Sequence, residues 1–187
     1  MKPTIELAKN HLFTHKRTYI ISCGVAVIVA TLAILYFFTN PPKVTYKAQD
    51  ACALFTPAKA QELLGDHVIN VNTDKIAYSG NVATSKCSYT DSNPDQSLMK
   101  VAAVAIRSGT NEGGIVQNKS DFTNAKAQSG TQPVANIGND AFFNPNRGQL
   151  NILSDRMWII VSNGIGATPQ SNSLNDDMTL ARKVLSN

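Results

Sequence analysis

Apolar positions are arranged along this chain in three ways: one continuous run, several segments of period two, and several of period 3.6. Residues 18–38 (TYIISCGVAVIVATLAILYFF) are 21 consecutive positions without a charge. At 1.5 Å per residue a helix of that length covers about 31 Å, the thickness of a bilayer's hydrocarbon core. Thr39-Asn40-Pro41-Pro42 ends the run, because proline has no N–H to donate and turns its predecessor away from the helical region. From residue 51 onward the two periodic patterns alternate, each segment bounded by Gly, Pro, Asn or Asp.

Ala51-Cys52-Ala53-Leu54-Phe55 opens this part, and Thr56-Pro57 begins a short helix that stops at Gly65. Thr is a good N-cap, Pro suits the first helical position and Gly the C-terminal stop. Ala60, Leu63 and Leu64 give that helix one apolar side. Residues 68–78 predict a strand broken near Asn72-Thr73-Asp74, residues 84–90 a second strand, and residues 98–107 (LMKVAAVAIR) a third. The third is apolar on both faces and so central to a sheet. A Gly-rich loop, residues 108–114, precedes a helix expected over residues 115–128, with Ile115, Phe122, Ala125 and Lys126 at helical spacing. Residues 140–144, 149–154 and 156–162 read as three more strands, the last alternating Met157, Ile159 and Val161 against Trp158 and Ile160, with both faces expected to be covered. Residues 163–172 form a loop, and Ser173 caps a final helix whose stripe is Leu174, Met178, Ala181, Val184 and Leu185. Asp176 and Asp177 near its start and Arg182 and Lys183 near its end suit the helix dipole. The order is helix, three strands, helix, three strands, helix, which predicts an α+β domain: an antiparallel sheet partly covered by helices, preceded by one transmembrane helix.

Charge changes the picture at the N-terminus. Residues 1–17 carry Lys2, Lys9, Lys16 and Arg17 against Glu6, a net +3, whereas residues 43–187 come to +1. The pI near 9.0 therefore describes a basic tail next to an almost neutral domain, with no footprint for nucleic acid. Basic residues before an apolar span stay in the cytoplasm. The expected organisation is a cytoplasmic tail (1–17), a transmembrane helix (18–38), a tether (39–50) and an extracytoplasmic domain (51–187) in a single-pass membrane protein. A cleavable signal peptide has a shorter apolar core and a small-x-small site, whereas this run ends on Leu35-Tyr36-Phe37-Phe38. Cys23 precedes most of the apolar core, where a lipobox cysteine would follow it. The bilayer is then one partner, and helix pairing through residue 23 a route to a homodimer.

Two cysteines, Cys52 and Cys87, lie beyond the span. An even pair in an oxidising space is normally bridged; the rival redox or metal pair would call for C-x-x-C spacing or a His/Cys cluster. His67 is the one histidine past residue 38, with no nucleophile-elbow motif beside it. Asp91-x-Asn93-x-Asp95 copies the first half of a calcium loop, but Gln96 stands where the turn glycine belongs and Ala102 where the bidentate Glu belongs; turn chemistry explains it as well. Glu112, Asp121 and the Asp176/Asp177 pair are candidate acid/base carboxylates, and Trp158, Tyr89 and Asp140 candidate lining of a ligand cleft. No cofactor or metal is expected.

Cys52-Ala53-Leu54-Phe55-Thr56-Pro57-Ala58, Leu63-Leu64-Gly65 and Cys87-Ser88-Tyr89 resemble the Cys-x-Leu-Leu-Thr-Pro…Leu-Gly…Cys-x-Tyr/Trp pattern of a group of small exported bacterial proteins of unknown function, many of them actinobacterial lipoproteins. Ile137-Gly138-Asn139-Asp140-Ala141 is similar to their Gly-x-Gly-Asp-x-Ala turn, and residues 148–152 to the strand after it. The resemblance implies an extracytoplasmic domain with a Cys52–Cys87 bridge, of the helix-covered antiparallel type seen in photosystem accessory proteins such as PsbP. It brings no catalytic residues across. Lys59 departs from the acid usual there, and a membrane helix replaces the lipid anchor. The functional expectation is a non-enzymatic binding or accessory domain of the bacterial envelope acting on a protein, peptide or small ligand. A sensor subunit working through a membrane partner and an envelope hydrolase are the alternatives.

Overall fold

The computed structural model describes residues 44–166, 168 and 171–186. The expected tail and transmembrane helix lie outside the described residues, and no helix among the described residues is long and apolar enough to cross a membrane. The chain runs α1 (Ala51–Leu54), α2 (Pro57–Leu64), β1 (Val68–Ser79), β2 (Val82–Asp91), β3 (Lys100–Gly109), α3 (Glu112–Lys126), β4 (Gln132–Val134), β5 (Asp140–Asn144), β6 (Gln149–Ser154), β7 (Met157–Ile165) and α4 (Leu174–Leu185). The seven strands form one sheet in the order β1-β2-β3-β7-β6-β5-β4, every pairing antiparallel. This is the expected α+β class, with β3 inside the sheet as its two apolar faces require.

Local chemistry sets the helix ends. Thr56 Oγ1 accepts from the Lys59 N–H with Pro57 in the first turn. Ser173 Oγ accepts from the Asp176 N–H and donates to the Asp176 carboxylate, a reciprocal cap. Asn111 caps α3 by accepting from Gly114, so this helix begins three residues before the expected Ile115 and takes in two glycines of the predicted loop. The reason is tertiary: a methyl on Gly114 would collide with the Asn81 carbonyl in the β1–β2 turn, and one on Gly109 would meet the backbone at Ile115. β1 is a single strand where a break was expected. The irregularity becomes two register shifts, between Asn70 and Asn72 and between Asp74 and Ala77. β4, short and carrying Pro133, adds an edge strand that the sequence pattern does not announce.

The two faces of the sheet are covered unequally. On one, α1, α2 and α4 pack over alternate strand residues: Cys87 and Tyr89, Val104 and Ile106, Ile159 and Val161, Leu150 and Ile152. Phe55 stands edge-on to Tyr89 at 5.1 Å. Cys52 is bridged to Cys87 with Cα atoms 5.1 Å apart, as expected, and fastens α1 to β2. On the other face, among the described residues, α3 is the one helix. Phe122 sits edge-on to Phe142 and to Trp158, and the buried Asn118 amide donates to the carbonyls of Arg107 and Arg156.

The chain joins the domain before residue 51. The Tyr46 N–H donates to Thr110, Ser85 Oγ donates to the Gln49 carbonyl and accepts from Ala51, and Ala48 is buried. Of the expected tether, residues 46–50 are thus part of the folded unit.

The bridge closes a loop of sequence separation 35. In the chain-entropy estimate that is worth about 4 kcal/mol. Cys52→Ala with Cys87→Ala should lower the unfolding free energy by about 3–4 kcal/mol, measured by urea titration, and adding a reductant to the variant should change nothing further.

Candidate functional site

Alternation along the central strands assigns Ala102, Val104 and Ile106 to the three-helix core and therefore Ala103, Ala105 and Arg107 to the opposite face. Registers carry this across the sheet. Ala103 pairs with Ser88 and Ser162, Ala105 with Lys86 and Ile160, and Arg107 with Thr84 and Trp158. α3 covers the Arg107–Trp158 row through Phe122 and stops there. The next two rows have no helix above them among the described residues.

Those uncovered rows form a depression of about 190 Å³. Its floor is Ala103, Ala105 and Ile160, with the hydroxyls of Ser88 and Ser162 between them, and Lys86 and Gln149 stand at its sides. A floor of two alanines and two serines lies lower than the side chains around it, which is what makes the sheet concave here. The Lys86 ammonium is the charged group of the lining; its nearest carboxylate, Asp74, is 3.9 Å away and both are well exposed. The depression therefore offers apolar contact area, two hydroxyls, one amide and one cation, a set suited to holding an amphipathic ligand in place.

The three residues expected to line a cleft do not meet. Tyr89 points into the three-helix core, 2% exposed, where burial raises its phenol above the ordinary value against a hydrogen bond from Asn70. Trp158 and Asp140 are on the other face, but beneath or beside α3. The Trp158 Nε1–H donates to Asn151 at 3.0 Å and Arg107 lies over its ring. Asp140 takes Lys126 at 2.6 Å and ties the end of α3 to β5. Sequence reasoning missed Ala103, Ala105, Ser88 and Ser162. The available signal was the pair of alanines at period two, Ala103 and Ala105, interleaved with the larger Val104 and Ile106.

Other candidate groups are occupied structurally. Asp91, Asn93 and Asp95 accept from the N–H groups of Asn93, Asp95 and Ser97, two residues ahead of each, and Ser97 holds the Asp95 carboxyl below its ordinary value. This is turn chemistry. Among the described residues no three His, Cys, Asp or Glu side chains assemble as a metal site. Asp121 pairs with Arg107 at 2.7 Å, Glu112 accepts from the Tyr46 hydroxyl, and both belong to α3, across the sheet from Asp176 and Asp177. His67 is exposed between α2 and β1.

Asp177 is fully buried in α4. Its Oδ1 accepts from the Asn163 N–H at 2.6 Å, fixing α4 to the end of β7, and its Oδ2 has no partner among the described residues. Burial pushes the carboxyl up to about 7, opposed by the Asn163 and Leu150 N–H groups.

Compared with family models, curated proteins and solved structures, the chain matches none.

The Asp177 carboxyl prescribes a pH dependence. Its folded pKa of about 7 exceeds the ordinary 3.8, so between those values the folded state holds a proton that the unfolded state releases. The Asp177 contribution to stability is present below about pH 4, declines as pH rises to about 7 and is flat above. Urea titrations of wild type and Asp177→Asn across pH 4–8 should show this decline removed in the variant; parallel curves would refute the assignment.

Proposed function

We propose that the protein is a single-pass, membrane-tethered binding or accessory domain of the bacterial envelope, non-enzymatic, with its C-terminal domain outside the cytoplasm. One observation carries the binding role: among the described residues, two rows of a seven-stranded sheet are left without a covering helix and are floored by Ala103, Ala105, Ser88 and Ser162. A sheet face that served only stability would be closed by a helix or studded with long charged side chains. This one instead presents a shallow apolar floor with hydroxyls at fixed positions. The ligand is an amphipathic small molecule or a peptide segment, held by the floor and oriented by Lys86 and Gln149.

The envelope location draws on separate support. A 21-residue uncharged run after a basic tail is the sequence of an uncleaved anchor with its N-terminus inside, and a bridged cysteine pair suits an oxidising space. The resemblance to small exported bacterial proteins agrees with both. The sensor alternative shares this topology and adds a membrane partner; the hydrolase alternative has no group of converging catalytic side chains in its favour among the described residues.

Protease added to intact cells should digest residues 44–187 and leave the N-terminal tail protected; digestion only after lysis would end the envelope reading. Envelope extract should raise the melting temperature of the detergent-solubilised full chain. Ala103→Trp, which fills the depression with an indole, should abolish that rise and leave the melting temperature without extract unchanged. Equal rises in both proteins would put the ligand elsewhere.

A further inference from the structure

Along β7 the face left open by α3 carries Trp158, Ile160, Ser162 and Gly164 in turn. Trp158 stands against Phe122 of α3. At the other end a Cβ on Gly164 would collide with Asn172 Oδ1, so the Asn172 side chain occupies the space over that glycine. It is held there by donating to the Gly148 carbonyl. The depression is thus stopped at both ends along the strand. It takes a compact molecule and gives an extended peptide no passage. A cavity of about 150 Å³ holds benzene, so about 190 Å³ holds a ring or short chain with one substituent, about ten non-hydrogen atoms in all.

The polar side chains of the lining are Lys86, Ser88, Gln149 and Ser162. Each can donate a hydrogen bond, one is a cation and none is a carboxylate. Among the described residues these four side chains make no hydrogen bond, whereas polar groups elsewhere on this face are committed: Asn151 accepts from Trp158, Arg107 is paired with Asp121 and Lys126 with Asp140. Lys86 differs from the other ion-paired cations by the same measure. Its carboxylate, Asp74 on β1, is 3.9 Å away, while the Arg107, Lys126 and Lys183 pairs close at 2.6–2.7 Å. Lys86 and Ser88 are two residues apart on β2, on one face and about 7 Å along the strand. An anionic group between them meets an ammonium and a hydroxyl. Ser162 lies about 10 Å across the floor from Ser88, beyond Ala103.

We propose that the depression binds a small organic monocarboxylate, its carboxylate between Lys86 and Ser88 and its apolar body on Ala103, Ala105 and Ile160. One ammonium balances one negative charge; a phosphate dianion would keep a charge without a partner. A polar substituent at the far end of the molecule would meet Ser162 and Gln149. This names the ligand class of the binding role proposed above and rests on that role.

The probes are benzoate and hexanoate, with benzamide and hexanamide as neutral molecules of matching shape. Binding to the full chain in a non-ionic detergent is read by equilibrium dialysis near pH 7, where carboxylates are ionised, with empty micelles as the blank. At least one acid should bind saturably, at one site per chain, and at least fivefold more tightly than its amide. Lys86→Met should remove that preference and leave amide binding and the melting temperature unchanged. Asp74→Asn, which takes away the competing carboxylate, should strengthen binding of the acid alone. Ala103→Trp should abolish binding of acid and amide together. No saturable binding of either acid, equal binding of acid and amide, or a preference that survives Lys86→Met would each overturn the carboxylate. In any of those cases, an extract-induced rise in melting temperature that Ala103→Trp still cancels would keep the depression as the binding site; a rise that persists in Ala103→Trp would end that role as well.

Discussion

The architecture turns on how little of one sheet face a single helix can cover. α3 buries one large apolar side chain, Phe122, with Gly114 and Asn118, and Phe122 stands edge-on to Phe142 and Trp158. Three helices share the opposite face and bury a continuous core. What lies beyond Phe122 must therefore be compatible with water without a helix above it. Ser88, Ser162 and Gln149 meet that demand with polar groups, and Ala103 and Ala105 with the smallest apolar area a strand can present. The depression is the geometric result of that choice.

The position of α3 is fixed in turn by contacts that leave no room for side chains. Gly114 lies against the Asn81 carbonyl, and Thr110 N–H donates to that same carbonyl. The β1–β2 turn and the start of α3 are thus one packed unit. Asn118 adds a latch that works whichever way α3 would slide, since its amide spans carbonyls on two neighbouring strand ends, Arg107 and Arg156. A helix so placed cannot shift to cover the uncovered rows without breaking buried hydrogen bonds.

Much of the fold was legible because its causes are local. The caps at Thr56 and Ser173, the strands at residues 140–144 and 149–154, and the stripe of α4 depend on residues within a turn of one another. The misreadings have distant causes. Gly113 and Gly114 read as a loop because the Asn81 turn that requires their smallness lies some 30 positions earlier. β1 read as broken because bulges keep a strand going while disrupting its alternation. The candidate site was less legible for a related reason. Tyr89, Trp158 and Asp140 have recognisable chemistry, but the face each occupies depends on which helices cover which side. Ala103 and Ala105 looked like core positions, and only the limited reach of α3 leaves them uncovered.

The two faces are nevertheless mechanically one structure. Strand alternation puts Cys87 directly beneath the gap between Lys86 and Ser88, so the bridge to Cys52 holds from below the strand that forms one side of the depression. The Phe55–Tyr89 contact repeats the restraint two residues on. On the other side of β3, Asp177 grips the Asn163 N–H next to Ser162. β3 itself is laddered on both edges. Every strand of the floor is thus restrained from the helical side or by neighbours, and its hydroxyls and methyls are set before anything arrives. A site preorganised in this way loses little conformational entropy on binding, so a small contact area can still be selective.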